Sequence, residues 1–249
     1  MGMGDLARTI KEWLYPPLPR CIWCGNEHWP DGRIPFCPAC MEQVPLITGP
    51  RCAKCGKPLR LGSQDQPYCY LCRTERYFFG KVRCAAVYDG IIKQLLYRLK
   101  YYGESYLGEK LGDLLAERIK GDWGCYFYDL IVPIPISAGK IAERGYNQAA
   151  LLASGVAEFL RKPLAGEALI RHKETLSQNE LSLPERKKNL QDAFLTAKPA
   201  QVAGRRILLV DDIFTTGATL SYAARELLKS GAGSVDALVL AAGVVPEQW

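Results

Sequence analysis

Four CxxC pairs, Cys21/Cys24, Cys37/Cys40, Cys52/Cys55 and Cys69/Cys72, take eight of the ten cysteines and are separated by 12, 11 and 13 residues. No export signal is expected in the first residues, because Lys11 and Glu12 interrupt any apolar core there. Disulfides are therefore not expected, since the cytoplasm keeps thiols reduced. A thioredoxin-like redox centre needs one CxxC beside a βαβ pattern, which four tandem pairs do not provide. Two zinc ribbons of four cysteines each do fit. Each CxxC turn offers two thiolates along one edge of a tetrahedron, and a second pair closes it. Gly25 and Gly56 follow the second cysteine of their pairs, where the knuckle needs a small residue. Sequential grouping, with Cys21, Cys24, Cys37 and Cys40 on one zinc and Cys52, Cys55, Cys69 and Cys72 on the other, is the expectation; interleaved grouping also satisfies the spacing. Closed all-thiolate sites are structural, so two zinc ions should fold residues 21–72 and do no chemistry. His28 then reads as a surface residue. Cys84 and Cys125 read as packed thiols.

The stretch RILLVDDIFTTGAT, residues 206–219, carries the chemistry. Ile207 to Val210 form an apolar run of the kind that makes a parallel strand buried on both faces. The run delivers two adjacent carboxylates, Asp211 and Asp212, to the strand's carboxyl end, where open α/β sheets bind ligands. Such acids accept hydrogen bonds from sugar hydroxyls. The turn Thr215-Thr216-Gly217-Ala218-Thr219 leads into a helical pattern. Its amides and hydroxyls can surround a phosphate with help from the helix dipole. Gly217 permits close backbone approach.

Around this stretch the sequence reads as one α/β domain. Strands are expected at Val82 to Tyr88, 130–136, 168–171, 205–211 and 234–242, and helices at 91–100, 107–120, 146–161 and 219–230. Helices alternating with apolar strands indicate a mostly parallel sheet flanked by helices. The expected organisation is a lead-in amphipathic helix in 1–20 stopped by Pro16 and Pro17, a double zinc ribbon in 21–80, and the α/β domain in 81–249. No run of eighteen apolar residues exists, so no membrane-spanning segment is expected, and the cytoplasm is the expected location. The net charge of +6 is shared equally, with 10 basic against 7 acidic residues in 1–80 and 22 against 19 in 81–249. Neither part has the concentrated basic footprint of a dedicated nucleic-acid binder.

A second chemical stretch, IVPIPISAGKIAERGYNQ at 131–148, leaves a strand through a Ser/Gly loop and enters a helix, with Lys140 and Arg144 as its positive charges. A third, the polar segment 172–189, is too long to be an ordinary connection and reads as a lid; His172 at its edge reads as an ordinary loop histidine. Lys100, Tyr101 and Tyr102 follow a helix, and core packing is one reading of the tyrosines.

The acid pair and Thr/Gly turn resemble the phosphoribosyl-pyrophosphate (PRPP) signature of type I phosphoribosyltransferases. Nearly the whole chain resembles the ComF-like family, which joins zinc ribbons to such a domain. The matching elements are the CxxC array, LKYYG at 99–103, VPIP at 132–135, RGYNQ at 144–148, the spaced Arg171, Thr175, Gln178, Leu181, Arg186, Asn189 and Ala193-Phe194, and the signature itself. The resemblance implies a type I phosphoribosyltransferase-like fold with an N-terminal double zinc ribbon. It implies that Asp211 and Asp212 hold the ribose hydroxyls and act as the catalytic acids, that residues 215–219 hold the 5′-phosphate, and that 137–145, with Lys140 and Arg144, hold pyrophosphate. Segment 172–189 becomes the loop that covers substrate, and the region around Lys100 supplies the acceptor hood. The reaction implied is Mg²⁺-dependent displacement at ribose C1 with pyrophosphate leaving, and the acceptor is unknown. The family association is with natural competence and incoming single-stranded DNA. A different class of function also survives: non-catalytic binding of PRPP or single-stranded DNA, with the ribbons docking partners of the competence machinery.

Overall fold

Four parallel strands form the centre of the protein, in a computed structural model that describes residues 20–27, 33–59, 67–120, 127–172 and 192–243. The strands are β1 (Val82–Val87), β2 (Leu130–Pro133), β5 (Arg206–Phe214) and β6 (Ser234–Ala242), and they lie in the order β1-β6-β5-β2. Side chains alternate across a strand. Leu208 and Val210 of β5 therefore enter one core, while Ile207 and Leu209 enter the other. Both faces are covered, which is why the run carries no polar alternation.

The first face is packed by α3 (Gly90–Tyr101), α4 (Tyr106–Ile119) and α6 (Gln148–Leu160). Helices α4 and α6 meet backbone to backbone. A Cβ on Gly155 would lie 2.3 Å from the Glu109 carbonyl oxygen, and one on Gly112 would lie 2.3 Å from that of Leu152. The second face carries α8 (Ala218–Lys229) and a small antiparallel pair, β3 (Leu169–Arg171) with β4 (Phe194–Thr196). The short helices α5 (Ala138–Arg144) and α7 (Pro199–Val202) complete the domain.

Both ribbons use the same knuckle. Cys21 N–H donates to Asn26 O, and Gly25 N–H donates back to Cys21 O; in the second ribbon Cys52 N–H donates to Lys57 O and Gly56 N–H to Cys52 O. Gly25 and Gly56 hold φ of +75° and +70°, a left-handed conformation that side chains resist. The second cysteine pair of each ribbon opens a short helix, α1 (Pro38–Met41) and α2 (Tyr70–Thr74) respectively. The ribbons also finish the sheet. Ile47 N–H donates to Ala85 O, Val87 N–H to Pro45 O and Val82 N–H to Lys54 O, so ribbon backbone covers the free edge of β1.

Most expected elements appear within two residues of their expected bounds, with three instructive differences. Strand β2 stops at Pro133, earlier than expected, because Pro133 and Pro135 cannot donate to a ladder. Strand β5 runs on to Phe214, so both acids lie within the strand. Residues 138–144, expected as loop, form α5, a helix without a buried residue. The lead-in helix, His28, Cys125 and nearly all of the expected lid, including Thr175, Gln178, Leu181, Arg186 and Asn189, lie outside the described residues.

Candidate functional site

The sulfurs group sequentially. Cys21, Cys24, Cys37 and Cys40 bring their Sγ atoms within 4.8 Å of one another, as do Cys52, Cys55, Cys69 and Cys72. Cys24 and Cys37 are 3.8 Å apart and Cys55 and Cys69 3.6 Å. Thiolates at Zn–S distances of about 2.3 Å form a tetrahedron with edges of about 3.8 Å, so the spacing suits zinc. Four ionised sulfurs at this spacing need a dication between them. The amides of Cys55 and Cys69 also donate to Cys52 Sγ at 3.5 and 3.4 Å, orienting that ligand. Cys84 is buried, donates to Cys55 O at 3.5 Å, and has a thiol pushed up to about 12 by burial. It is packed and unreactive, as its sequence context suggests.

The second site lies where β2 stops and β5 continues. Pro133 pairs with Val210, so residues 211–214 project beyond β2. The chain leaving β2 is held beside them: Ile134 N–H donates to Val210 O, and Asn147 Nδ2 donates to Ile134 O. Asn147 also accepts from Ala149 N–H at 3.0 Å and caps α6. Gly145 ends α5 at φ +84°, and the Tyr146 hydroxyl donates to Leu99 O. The VPIP and RGYNQ motifs therefore act as the two ends of a clamp on residues 134–147.

Asp211 and Asp212 are both buried, at 9% and 5% exposure. Each accepts from the following amide: Asp212 N–H donates to Asp211 Oδ1 and Ile213 N–H to Asp212 Oδ1, both at 2.9 Å. Strand alternation sends the two carboxylates to opposite faces, and each faces its own cation. Lys100, in the last turn of α3, forms an ion pair with Asp212 Oδ2. Burial works to raise the Asp212 carboxyl, but the Lys100 charge and hydrogen bond override it and hold the group below the ordinary carboxylate range. Asp211 goes the other way: burial, then the neighbouring Asp212 charge, push it well above that range, with the Asp212 amide and then Lys100 opposing. Arg171, from β3, faces Asp211 and is packed over the Phe194 ring at 5.9 Å. Lys140 is lowered by loss of water and then by Arg171, Arg144 and Lys100, with Asp212 opposing. Lys100 thus touches the acid pair directly, while Arg171 and Lys140 feel the charge of Asp211 and Asp212 respectively. Arg144 also hydrogen-bonds Gln148 and lies 5.9 Å over the Tyr101 ring. Tyr101 and Tyr102 are 60% and 68% exposed, which rules out core packing for them.

The turn after β5 remains open. Gly217 holds φ +82° as the N-cap of α8, and Ala218 N–H donates to Thr216 Oγ1 at 3.4 Å. Among the described residues, the N–H groups of Thr215, Thr216 and Gly217 meet no acceptor. Ala218 and Thr219 begin the helix, so its positive end points toward the same turn. All the expected residues of the signature thus sit on one strand–turn–helix unit, with Lys140 and Arg144 on the facing clamp. Sequence reasoning placed Lys100 only in the acceptor hood and gave Arg171 no role, so it did not bring either to the acids.

Two family descriptions match, a double zinc ribbon domain over residues 10–73 and a phosphoribosyl transferase domain over 142–247. Competence protein F of Haemophilus influenzae is 30% identical over 227 residues, covering 89% of this chain and 96% of that protein. The chain belongs to the ComF-like family. Competence protein ComFC of Bacillus subtilis is 30% identical, covering 85% of each chain, and DNA utilization protein YhgH of Escherichia coli is 30% identical, covering 88% of this chain and 95% of its own. The fold is that of a type I phosphoribosyltransferase with an N-terminal double zinc ribbon, and the two tetrads are structural zinc sites. No helix among the described residues is long and apolar enough to cross a membrane.

Proposed function

We propose that this ComF-like protein binds PRPP with Mg²⁺ and transfers its phosphoribosyl group to an acceptor, acting on the cytoplasmic side of DNA uptake. One observation carries the reading: a buried acid pair, its Lys100 ion pair and a turn with unused amides occupy the same end of β5. Asp211 and Asp212 accept the ribose hydroxyls. Residues 215–219 receive the 5′-phosphate through their N–H groups and the helix dipole. Lys140 and Arg144 face the pyrophosphate, and Arg171 and Lys100 add positive charge beside the acids. Mg²⁺ suits the hard oxygens of the acid pair and of the substrate's own phosphates, and when bound it neutralises charge on the departing pyrophosphate. Displacement at C1 needs no side-chain nucleophile, only positioning and electrostatic support for the leaving charge. The link to DNA uptake comes from the printed names of the relatives, two competence proteins and a DNA utilization protein.

A second reading, a non-catalytic holder of PRPP or single-stranded DNA, is favoured by the clamp itself: Ser137, Gly139 and Ala142 carry no charge, leaving Lys140 and Arg144 as its basic residues. Titration calorimetry with PRPP and Mg²⁺ tests both readings of the pocket. Binding that is abolished in Asp211→Asn/Asp212→Asn supports it; absence of heat in the wild type refutes it. Pyrophosphate release with candidate acceptors then separates transfer from holding, and a filter assay tests single-stranded DNA.

A further inference from the structure

Between the second zinc ribbon and β1 the chain does more than connect. Residues 75–81 run beneath the turn after β5. Phe78 N–H donates to Ser221 Oγ in α8 at 3.1 Å, Gly80 N–H donates to Val235 O at 2.8 Å, and Lys81 N–H to Asp236 Oδ1 at 2.6 Å. Within this strap the Tyr77 hydroxyl donates to Thr216 O at 2.8 Å. The ring is braced from behind, stacking on Phe79 at 4.8 Å, and Phe79 meets Phe214 edge-on at 6.3 Å. A Cβ on Gly217 would come within 3.1 Å of Tyr77 Cε1 and 2.7 Å of Phe214 Cζ, so only glycine allows this approach.

The hydroxyl fixes a direction. The peptide joining Thr216 to Gly217 is planar and trans, so its C=O and N–H point opposite ways. With the carbonyl tied to Tyr77, the Gly217 N–H points away from Tyr77, where it meets no acceptor among the described residues. Glycine tolerates either orientation of a neighbouring peptide, so the turn alone does not select one. A flipped peptide would replace an N–H donor with a carbonyl oxygen and repel an anion. We infer that Tyr77 is a positioning residue: the strap leaving the second zinc ribbon locks the Thr216–Gly217 peptide in the orientation that binds phosphate. This inference rests on the reading of residues 215–219 as the 5′-phosphate turn. Burial raises the Tyr77 phenol above its ordinary range, so the hydroxyl remains a donor throughout neutral pH.

Tyr77→Phe keeps the ring stack and removes only the hydroxyl. Tyr222→Phe, in the same cleft but not bonded to the turn, is the control. Two readouts are needed. Hydrogen exchange of the bonded amides of Ala218 and Ser221, which donate to Thr216 Oγ1 and Gly217 O, should quicken about tenfold in Tyr77→Phe, the loss of one buried hydrogen bond, and not in Tyr222→Phe. Calorimetry should show ribose 5-phosphate binding about tenfold more weakly while inorganic pyrophosphate, read on the opposite clamp, stays within about twofold. Zinc content should stay at two per chain. Unchanged exchange in Tyr77→Phe overturns the inference, and so does an equal loss of both ligands, which marks a general structural defect. If the wild type binds neither ligand, the PRPP reading falls, and the exchange experiment still decides whether Tyr77 holds the turn.

Discussion

Lys100 and Asp212 show what the site costs the fold. Both are largely buried, and their ion pair joins the end of α3 to the projecting end of β5. Removing one member of such a pair leaves a bare charge in the interior, which costs about 3–5 kcal/mol. Lys100→Met should therefore lower unfolding stability in urea by about that amount at pH 7, and Lys100→Met/Asp212→Asn should recover most of it. The pH dependence has a definite sign. Asp212 is depressed in the folded state, so its contribution is present above about pH 3.9 and is lost as pH falls through its lower folded value. Lys100 is raised, so its contribution is present below about pH 10.4 and is lost as pH climbs through its folded value. Asp211 acts in the opposite sense: its raised pKa makes the fold retain a proton, and stability declines as pH rises from about 3.9. Asp211→Asn should remove that decline and be more stable than wild type near neutrality, measured by urea unfolding across pH 3–8. Both acids were legible in the sequence, because adjacent carboxylates after an apolar run are a local pattern. Their counter-ions were not, because Lys100 and Arg171 reach them only through the packing of α3 and β3 around the sheet.

At the scale of elements, the α4–α6 crossing is the tightest helix contact and the easiest to test. Alanine is the better helix former by about 1 kcal/mol over glycine. A methyl group at 155 would nonetheless enter a space 2.3 Å from a backbone carbonyl, and neither helix can yield without moving Leu152 and the sheet beneath it. Overpacking of this kind costs about 1–3 kcal/mol, so Gly155→Ala should destabilise despite its propensity, as a lower urea midpoint at unchanged slope. The long elements were legible because their apolar residues repeat with the helix or strand period. Helix α5 was not: it buries no side chain, so no stripe marks it. Strand β4 escaped for a related reason, since Phe194 alone of its three residues is buried. Hydrophobic periodicity reports burial, and elements that bury almost nothing leave no such trace.

For the whole molecule, the ribbons and the sheet share one structure. Ribbon backbone pairs with β1, the Lys57 side chain is buried over Phe214 at 5.5 Å, and the strap passes beneath the turn. Calorimetry should therefore show one unfolding transition, and stripping zinc with a chelator should shift all of it to lower temperature; a separate ribbon transition would contradict this. Deleting residues 1–80 should leave β1 with an open edge and yield soluble aggregates by light scattering. The cysteine spacing announced the ribbons clearly, yet nothing in it announced their place against the sheet, because backbone edge pairing has no side-chain code.

The strand order adds a constraint in time. Strand β1 is among the first elements of the sheet to leave the ribosome, but its partner inside the sheet is β6, which ends at Ala242. A nascent chain can close its zinc knuckles early, while the parallel core must wait for its final strand. Such non-local pairing is slow and leaves apolar strands unpaired in the interval. Metal-folded ribbons already seated along the outer side of β1 would leave only its inward side exposed during that wait.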